Sequence, residues 1–596
     1  MDNINEEKIE DILSDEIDLE DSDSTEESNS ESSDAIYYLN SGEALNSKET
    51  YEITAREKTK LVVLAGLAGS GKTTIETSLY QMFQKKTVGG FYFAGSNTIQ
   101  GYEQRAFFTR TKSRGTTPTT QRTSLEIGRS FLHLRLWERE TDEFCNLLFA
   151  DLSGEAFETH IGRVDEVKQD FPFMDRADYF VGVLDGEMIN NKRKRNGAIA
   201  AMIELARTFY DAELVGRGCV LQIVFSKCDV FSDDIETILK KVEQRICEQF
   251  KNMFFNIQFY RVAAMPEFVG KFEVGYGIEE LLKSWMKKKE EVKGEEKTEI
   301  DKSLSEFDSL FYKLLGGGQM NRKIFIMGAP NAGKSTYLAA LWHSVIQTEM
   351  PIKFKLKRME KDTQYLYSLE KKWLAVEPLE RTVIGQEVSE LTLLLTDGNQ
   401  DLEVEFPDLS GETFQNIYEN REMSQHLYQK ICDANAILYF INVENIYHGQ
   451  LISEVSEEIR NAGQEEYRER KPSQDDPTQI QIIDLLQAIA EIKRSQVKLG
   501  IIFSAWDLID DMENVNPREY LKNNMNMLWQ YLEANCRKFD TAIWGVSALG
   551  GKLDDFEELL DIEDPIIRIK VINENKSISH DVTSIIAEMS GETNGY

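Results

Sequence analysis

Apolar runs of four to eight residues recur along the chain between polar stretches, and the same series occurs twice. Leu61–Ala65 opens the first series and Ile324–Met327 the second. Next in each come two runs close enough to pair, Ser130–Trp137 with Phe144–Ala150 and Leu391–Leu395 with Leu402–Phe406. Asp397-Gly398-Asn399 at the second joint is a hairpin signal. Tyr179–Leu184 and Ile437–Val443 supply a further strand to each series. The segments between read as helices. Leu338, Leu341, Trp342, Val345 and Ile346 form an apolar stripe at helical spacing, which is a core face. Strands alternating with helices predict an α/β chain of two tandem, doubly wound, mostly parallel sheets, with ligand at the strand C-termini. The hairpin adds one antiparallel strand to each sheet.

The clearest chemistry follows each opening strand. Gly66-Leu67-Ala68-Gly69-Ser70-Gly71-Lys72-Thr73 and Gly328-Ala329-Pro330-Asn331-Ala332-Gly333-Lys334-Ser335 both fit G-x-x-x-x-G-K-S/T, and Thr74 and Thr336 come next. A strand before and a helix after turn this pattern into a phosphate-binding P-loop. Its backbone N–H groups wrap a phosphate, and the helix N-terminus adds positive potential. Lys72 and Lys334 are placed to reach β- and γ-phosphates, and Thr73 and Ser335 to take Mg²⁺.

The later motifs keep the same order. Each hairpin ends in one pentapeptide, Asp151-Leu152-Ser153-Gly154-Glu155 and Asp408-Leu409-Ser410-Gly411-Glu412. Lys72 to Asp151 is 79 residues and Lys334 to Asp408 is 74. Ser226-Lys227-Cys228-Asp229 and Ser504-Ala505-Trp506-Asp507 follow, then Val262-Ala263-Ala264 and Val546-Ser547-Ala548. The second copy is longer between its two Asp motifs. The excess falls around Gln464–Gln479, a polar stretch with Pro472 and Pro477 that reads as a loop insertion.

Charge narrows the field. The chain of 596 residues has a formal net charge of −35. That argues against nucleic acid or an anionic membrane as the main partner, since both need basic surface. Residues 1–35 hold fifteen acids and one base among serines, so they are expected to form a disordered acidic tail, either a solubilising arm or a docking segment. No run approaches the ~18 apolar residues of a spanning helix. The acidic N-terminus is no signal peptide. Six scattered Cys without C-x-x-C fit a reduced, cytoplasmic setting. The six His include no ligand-spaced pair. Expected domains are 58–285 and 320–564, a charged linker at 286–319, an acidic tail at 1–50 and a C-terminal tail at 565–596.

This motif order resembles the Ras-like (translation-factor) GTPase superfamily over most of residues 58–285 and 320–560. The tandem with D-L-S-G-E in both halves looks like the double-GTPase families of bacterial conflict systems. The resemblance implies two P-loop domains that bind Mg²⁺–GTP and hydrolyse it slowly as a switch. It implies a defence-type signalling role and a separate protein effector. It carries roles onto matching residues. Asp151 and Asp408 would join Thr73 and Ser335 at the metal, and Gly154 and Gly411 would sense the γ-phosphate by backbone N–H. Thr123 and Thr382 would close over the metal. Arg122 and Arg381 before them are read as surface or salt-bridged arginines, with cis arginine fingers as the alternative. Glu155 and Glu412 stand where relatives often carry a water-positioning Gln, and serve either water or packing and switching. Ser226, Lys227 and Asp229 would read guanine, with Ala263-Ala264 and Ser547-Ala548 at its O6. The second copy keeps Asp507 but has Ala505 in place of Lys, so it binds guanine more weakly or is regulatory. Two other readings stay open. One is a P-loop ATPase, which Asp229 and Asp507 argue against; the other is a nucleotide-binding scaffold without turnover. Intramolecular or homo-oligomeric pairing of the domains is also open.

Overall fold

The computed structural model describes residues 35–121, 130–215, 218–232, 235–251, 253–254, 256–267, 270, 272–287, 322–346, 351–358, 364–379, 391–406, 411–456, 458, 460, 467–493 and 495–591. The described chain opens with β1 (Ile36–Tyr38) and β2 (Leu45–Asn46). In the first half follow β3 (Thr59–Ala65), β4 (Phe91–Gly95), β5 (Ser130–Glu138), β6 (Glu143–Ala150), β7 (Tyr179–Asp185), β8 (Val220–Ser226) and β9 (Asn256–Arg261). Their sheet runs β2-β5-β6-β3-β7-β8-β9, with β4 also on β5. Pairing is parallel from β6 through β3, β7 and β8 to β9. β5 is the reversed strand, antiparallel to β2, β4 and β6. Every residue of β7 and β8 is buried, as expected for parallel strands covered by helices on both faces.

The second half repeats the plan. Its strands are β10 (Arg322–Gly328), β11 (Lys355–Arg358), β12 (Leu391–Thr396), β13 (Asp401–Phe406), β14 (Glu422–Ser424), β15 (Ala436–Asn442), β16 (Val497–Ser504), β17 (Phe539–Ser547), β18 (Lys570–Ile572) and β19 (Ile578–Ser579). The sheet order is β11-β12-β13-β10-β15-β16-β17-β18-β19. At the β12–β13 joint the Asp397 carboxylate accepts the N–H groups of Asn399 and Gln400, both at 2.8 Å, which closes the expected turn.

Three expectations need correction. Residues 36–54, partly assigned to the acidic tail, form β1, β2 and a helix at Glu49–Thr54, and β1 pairs antiparallel with β14 of the second half. The stretch from 565 is no tail: β18 adds a second reversed strand to the sheet beside β17, and the helix Thr583–Ser590 buries Ile585 and Ile586. The insertion near Gln464–Gln479 is partly helical, at Pro472–Asp475. Residues 1–34 and 288–321, which include the expected linker from 288 to 319, lie outside the described residues.

The two halves share one apolar core. Phe83 and Phe93 of the first belong to the same buried cluster as Ile480, Ile483, Trp529 and Leu532 of the second. Buried amides satisfy the backbone at this seam. Phe93 N–H donates to Gln530 Oε1 at 2.9 Å, and Gln530 Nε2 donates to the Phe83 carbonyl at 2.9 Å. Gln479 Nε2 donates to the Gln84 carbonyl at 3.1 Å. Such groups lose their partners if the halves separate, at roughly 1–3 kcal/mol each.

His133 of β5 gives this core an acid limit. Its Nδ1 accepts the Asn97 N–H at 3.0 Å, so Nε2 carries the proton and donates to Asn146 Oδ1 at 3.0 Å. Burial pushes its pKa from 6.5 down to about 4. The unfolded chain therefore binds a proton that the folded chain refuses. Stability is full above pH 6.5 and falls progressively toward pH 4, by about 3 kcal/mol in all. Urea unfolding at pH 7 and pH 5 is expected to show the loss, and His133→Gln to remove that part of the slope. An unchanged slope in the variant would contradict the assignment.

Candidate functional site

β3 delivers the first P-loop to the C-terminal edge of its sheet, and the helix Lys72–Lys85 leads away from it. Gly71, at φ 92°, takes the left-handed conformation that glycine adopts without strain, at the turn from the loop into that helix. Lys72 lies back across the loop, donating to the carbonyls of Gly66 at 2.9 Å and Leu67 at 3.2 Å. Burial pushes its ammonium down to about 8, opposed by Glu76, Glu155, Glu158 and Asp151.

The other first-copy motifs converge on this loop. Ser226 Oγ donates to the Ser70 carbonyl at 2.7 Å, which ties the end of β8 to the P-loop. Gly154 packs so tightly that a Cβ there would fall 2.4 Å from the Ala68 N and Cα atoms. A helix follows at Gly154–His160, capped by the Ser153 hydroxyl, and from it Glu158 accepts the Ala68 N–H at 2.8 Å. Together Ala68–Thr74, Thr117–Gln121, Leu152–Glu155, Ser226, Lys227 and Asp229 line a cleft of about 650 Å³. That volume suits a small-molecule ligand. The P-loop end offers amides, a lysine and hydroxyls for a phosphate chain. The cleft also offers Asp229, whose carboxyl burial pushes up against hydrogen bonds from its own backbone and that of Glu267. Lys227 Nζ stands at the rim between Asp185 (3.0 Å) and Glu187 (2.9 Å). Ala264 lines the cleft, whereas the Ala263 N–H is used by the Tyr276 carbonyl at 3.0 Å, so the expected Ala263 contact is not available.

The second copy has the same frame. Lys334 Nζ donates to the carbonyls of Gly328 (2.6 Å) and Ala329 (3.0 Å), and Ser504 Oγ to that of Ala332 (2.8 Å). A Cβ on Gly411 would fall 2.6 Å from Ala329 and Pro330 backbone atoms. Ala505, at φ 52°, keeps the left-handed backbone of Lys227, at φ 49°. The Asp507 carboxylate is engaged by the Ser547 hydroxyl. Asn442 Nδ2 donates to the Asn331 carbonyl at 3.1 Å. Ser335 and Thr336 begin the helix Lys334–Ile346, and Glu412 the exposed start of Glu412–Asn420. Arg122, Thr123, Arg381, Thr382, Asp408 and Ser410 lie outside the described residues.

Residues 60–286 match the family model described as Double-GTPase 2, and residues 325–589 match the one described as Double-GTPase 1. The chain is a tandem double-GTPase. Similar solved structures include a GTP-binding protein from the hyperthermophilic archaeon Sulfolobus solfataricus in complex with GDP, 13% identical, with a TM-score of 0.20, covering 36% of this chain and 49% of that one. The bacterial selenocysteine-specific elongation factor EF-Sec is 13% identical with a TM-score of 0.19, covering 34% and 26%. The signal recognition particle receptor SRb-GTP/SRX complex from Chaetomium thermophilum is 11% identical with a TM-score of 0.21, covering 41% and 99%. The chain thus spans about half of the first and about a quarter of the second. No curated protein matches it.

In the double-GTPase, charged residues outside every motif reach the first site, Arg105 and Glu76 among them. Arg105, on the helix Ile99–Ala106, forms an ion pair with buried Asp151. Glu76, one turn beyond Lys72, is wholly buried, and burial followed by the Asp151 charge pushes its carboxyl well up. Neither has a local sequence signal, because their partners lie far along the chain. Among the described residues no helix is long and apolar enough to cross a membrane, and no cluster of His, Cys, Asp and Glu is built for a metal.

Proposed function

We propose that the double-GTPase is a cytoplasmic, Mg²⁺-dependent GTP switch whose first domain hydrolyses GTP slowly. One observation carries this reading: P-loop, D-L-S-G and S-K-C-D residues line a single cleft. Lys72 exchanges its two carbonyl partners for β- and γ-phosphate oxygens. The N–H groups of Gly69 to Thr74 follow the phosphate chain, and the Gly154 N–H meets the γ-phosphate. Asp229 accepts from N1–H and the 2-amino group of guanine, a pair that adenine lacks. Glu155, at the mouth of the cleft, orients the attacking water. The hydroxyl of Thr73 and the Asp151 carboxylate suit a hard divalent cation, and the Arg105 guanidinium paired with Asp151 is consistent with positive charge beside that carboxylate. Mg²⁺ held there would neutralise charge on the β- and γ-phosphates. Thr123 is assigned, by its place in the motif order, to close over the metal.

The second domain supports a different use. With Ala505 in place of Lys, and Asp507 held by Ser547, it binds guanine nucleotide weakly or without turnover, as a scaffold. Resemblance to double-GTPase families supports a role in a bacterial defence-type system acting on a protein effector. Single-turnover phosphate release tests the assignment. Release is expected from wild type and from Lys334→Ala, and not from Lys72→Ala. Equal release from Lys72→Ala would contradict it, and release lost in Lys334→Ala alone would move turnover to the second domain.

A further inference from the structure

We propose that the second domain builds part of the first domain's nucleotide cleft, with Tyr467 and Arg460 as positioning residues that set how long nucleotide stays bound. This rests on the reading of that cleft as a nucleotide site. Between β15 and the helix Thr478–Lys493, the described residues Arg460 and Tyr467 hydrogen-bond to Glu267 and Thr117 of the first domain, both of which line the cleft.

On the phosphate side, Thr117–Gln121 form one wall. Tyr467 donates its hydroxyl to the Thr117 carbonyl at 2.9 Å, and its ring meets Phe108 edge-on at 5.0 Å. The ring lies so close to Gly115 that a Cβ there would fall 2.1 Å away. Next to it, Arg468 Nε donates to the Lys112 carbonyl at 2.9 Å, and the Thr111 N–H donates to the Gln450 carbonyl at 3.0 Å. On the base side, Arg460 Nη1 donates to the Glu267 carbonyl at 2.5 Å and Nη2 to the Ser453 carbonyl at 2.9 Å. Glu267 lines the cleft, and its backbone hydrogen-bonds to the Asp229 carboxylate. A side chain of one domain therefore anchors the residue that holds the other domain's base-reading carboxylate.

The segment is firmly rooted. Asp476 pairs with Arg470 and accepts the Tyr418 hydroxyl at 2.5 Å. Arg470 Nη2 reaches Gln100 Oε1 at 2.6 Å, on the helix that carries Arg105 to Asp151. The neighbouring Glu103–Arg110 pair is fully buried. Buried ion pairs of this kind are costly to break in part, because a lone buried charge is left behind, so they hold Arg470 and Asp476 in one place.

Release of a fluorescent GDP analogue from the full chain tests this. A Lys334→Ala background restricts the signal to the first site. Tyr467→Ala and Arg460→Ala are expected to speed release about tenfold or more, and Tyr467→Phe, which removes one oxygen, about threefold to fivefold. Hydrogen exchange at residues 117–121 and 263–267 should rise in step, while the melting temperature holds. Release within twofold of the parent, with unchanged exchange, overturns the proposal. If the alanine variants melt early, Tyr467→Phe decides alone on the same criterion. If the parent takes up no analogue at all, the nucleotide reading fails with the proposal. Uptake with unaltered release sinks the proposal and leaves that reading standing.

Discussion

Asp229→Asn is expected to lower GTP affinity at the first site by roughly 100-fold and to raise affinity for xanthosine triphosphate. The carboxylate belongs to a residue that lines the same cleft as the P-loop, half-buried. Two hydrogen bonds from guanine to a charged acceptor contribute about 3 kcal/mol or more, and each 1.4 kcal/mol is tenfold. An Asn keeps one acceptor and offers a donor, which clashes with the guanine 2-amino group and suits the xanthine carbonyl. Titrations in a Lys334→Ala background read this site alone. Unchanged GTP affinity would remove Asp229 from base recognition.

Gly154→Ala is the second large effect, and it is expected to separate GTP from GDP. An added Cβ overlaps the Ala68 backbone at 2.4 Å, and no flexible side-chain end can give way there. The helix Gly154–His160 must back away, breaking the Ala68–Glu158 contact and moving the Gly154 N–H from the place proposed for the γ-phosphate. Overpacking of this kind costs about 1–3 kcal/mol, felt in the state that needs the close approach. GTP affinity should fall about 100-fold and GDP affinity less than about fivefold. Equal losses for both would mean that Gly154 only shapes the loop. No loss at all would mean that the loop and helix do not meet in the bound state.

What the sequence disclosed and what it hid have one physical explanation. P-loops, D-L-S-G and S-K-C-D are legible because each packs its chemistry into a few consecutive residues, with spacing fixed by one strand end. The parallel strands were legible because burial on both faces leaves long apolar runs, such as Tyr179–Leu184. β18 has three residues and β1 three, too short for any period to show, and each exists because a neighbouring edge, β17 or β14, pairs with it. Arg105 carries no local signal, because only the fold brings Asp151 to it. The insertion announces itself by length and proline, but the grip of its Arg468 and Tyr467 on Lys112 and Thr117 is wholly tertiary. Ala263 shows the reverse failure: the motif matched, yet Tyr276 already takes its N–H.

Calorimetry of the full chain with Mg²⁺, titrating GTP and then ATP, tests the central claim most directly. The account expects saturable uptake of GTP that excess ATP does not displace, and its loss when Lys72→Ala and Lys334→Ala are combined. No uptake of GTP, or equal competition by ATP, would contradict it.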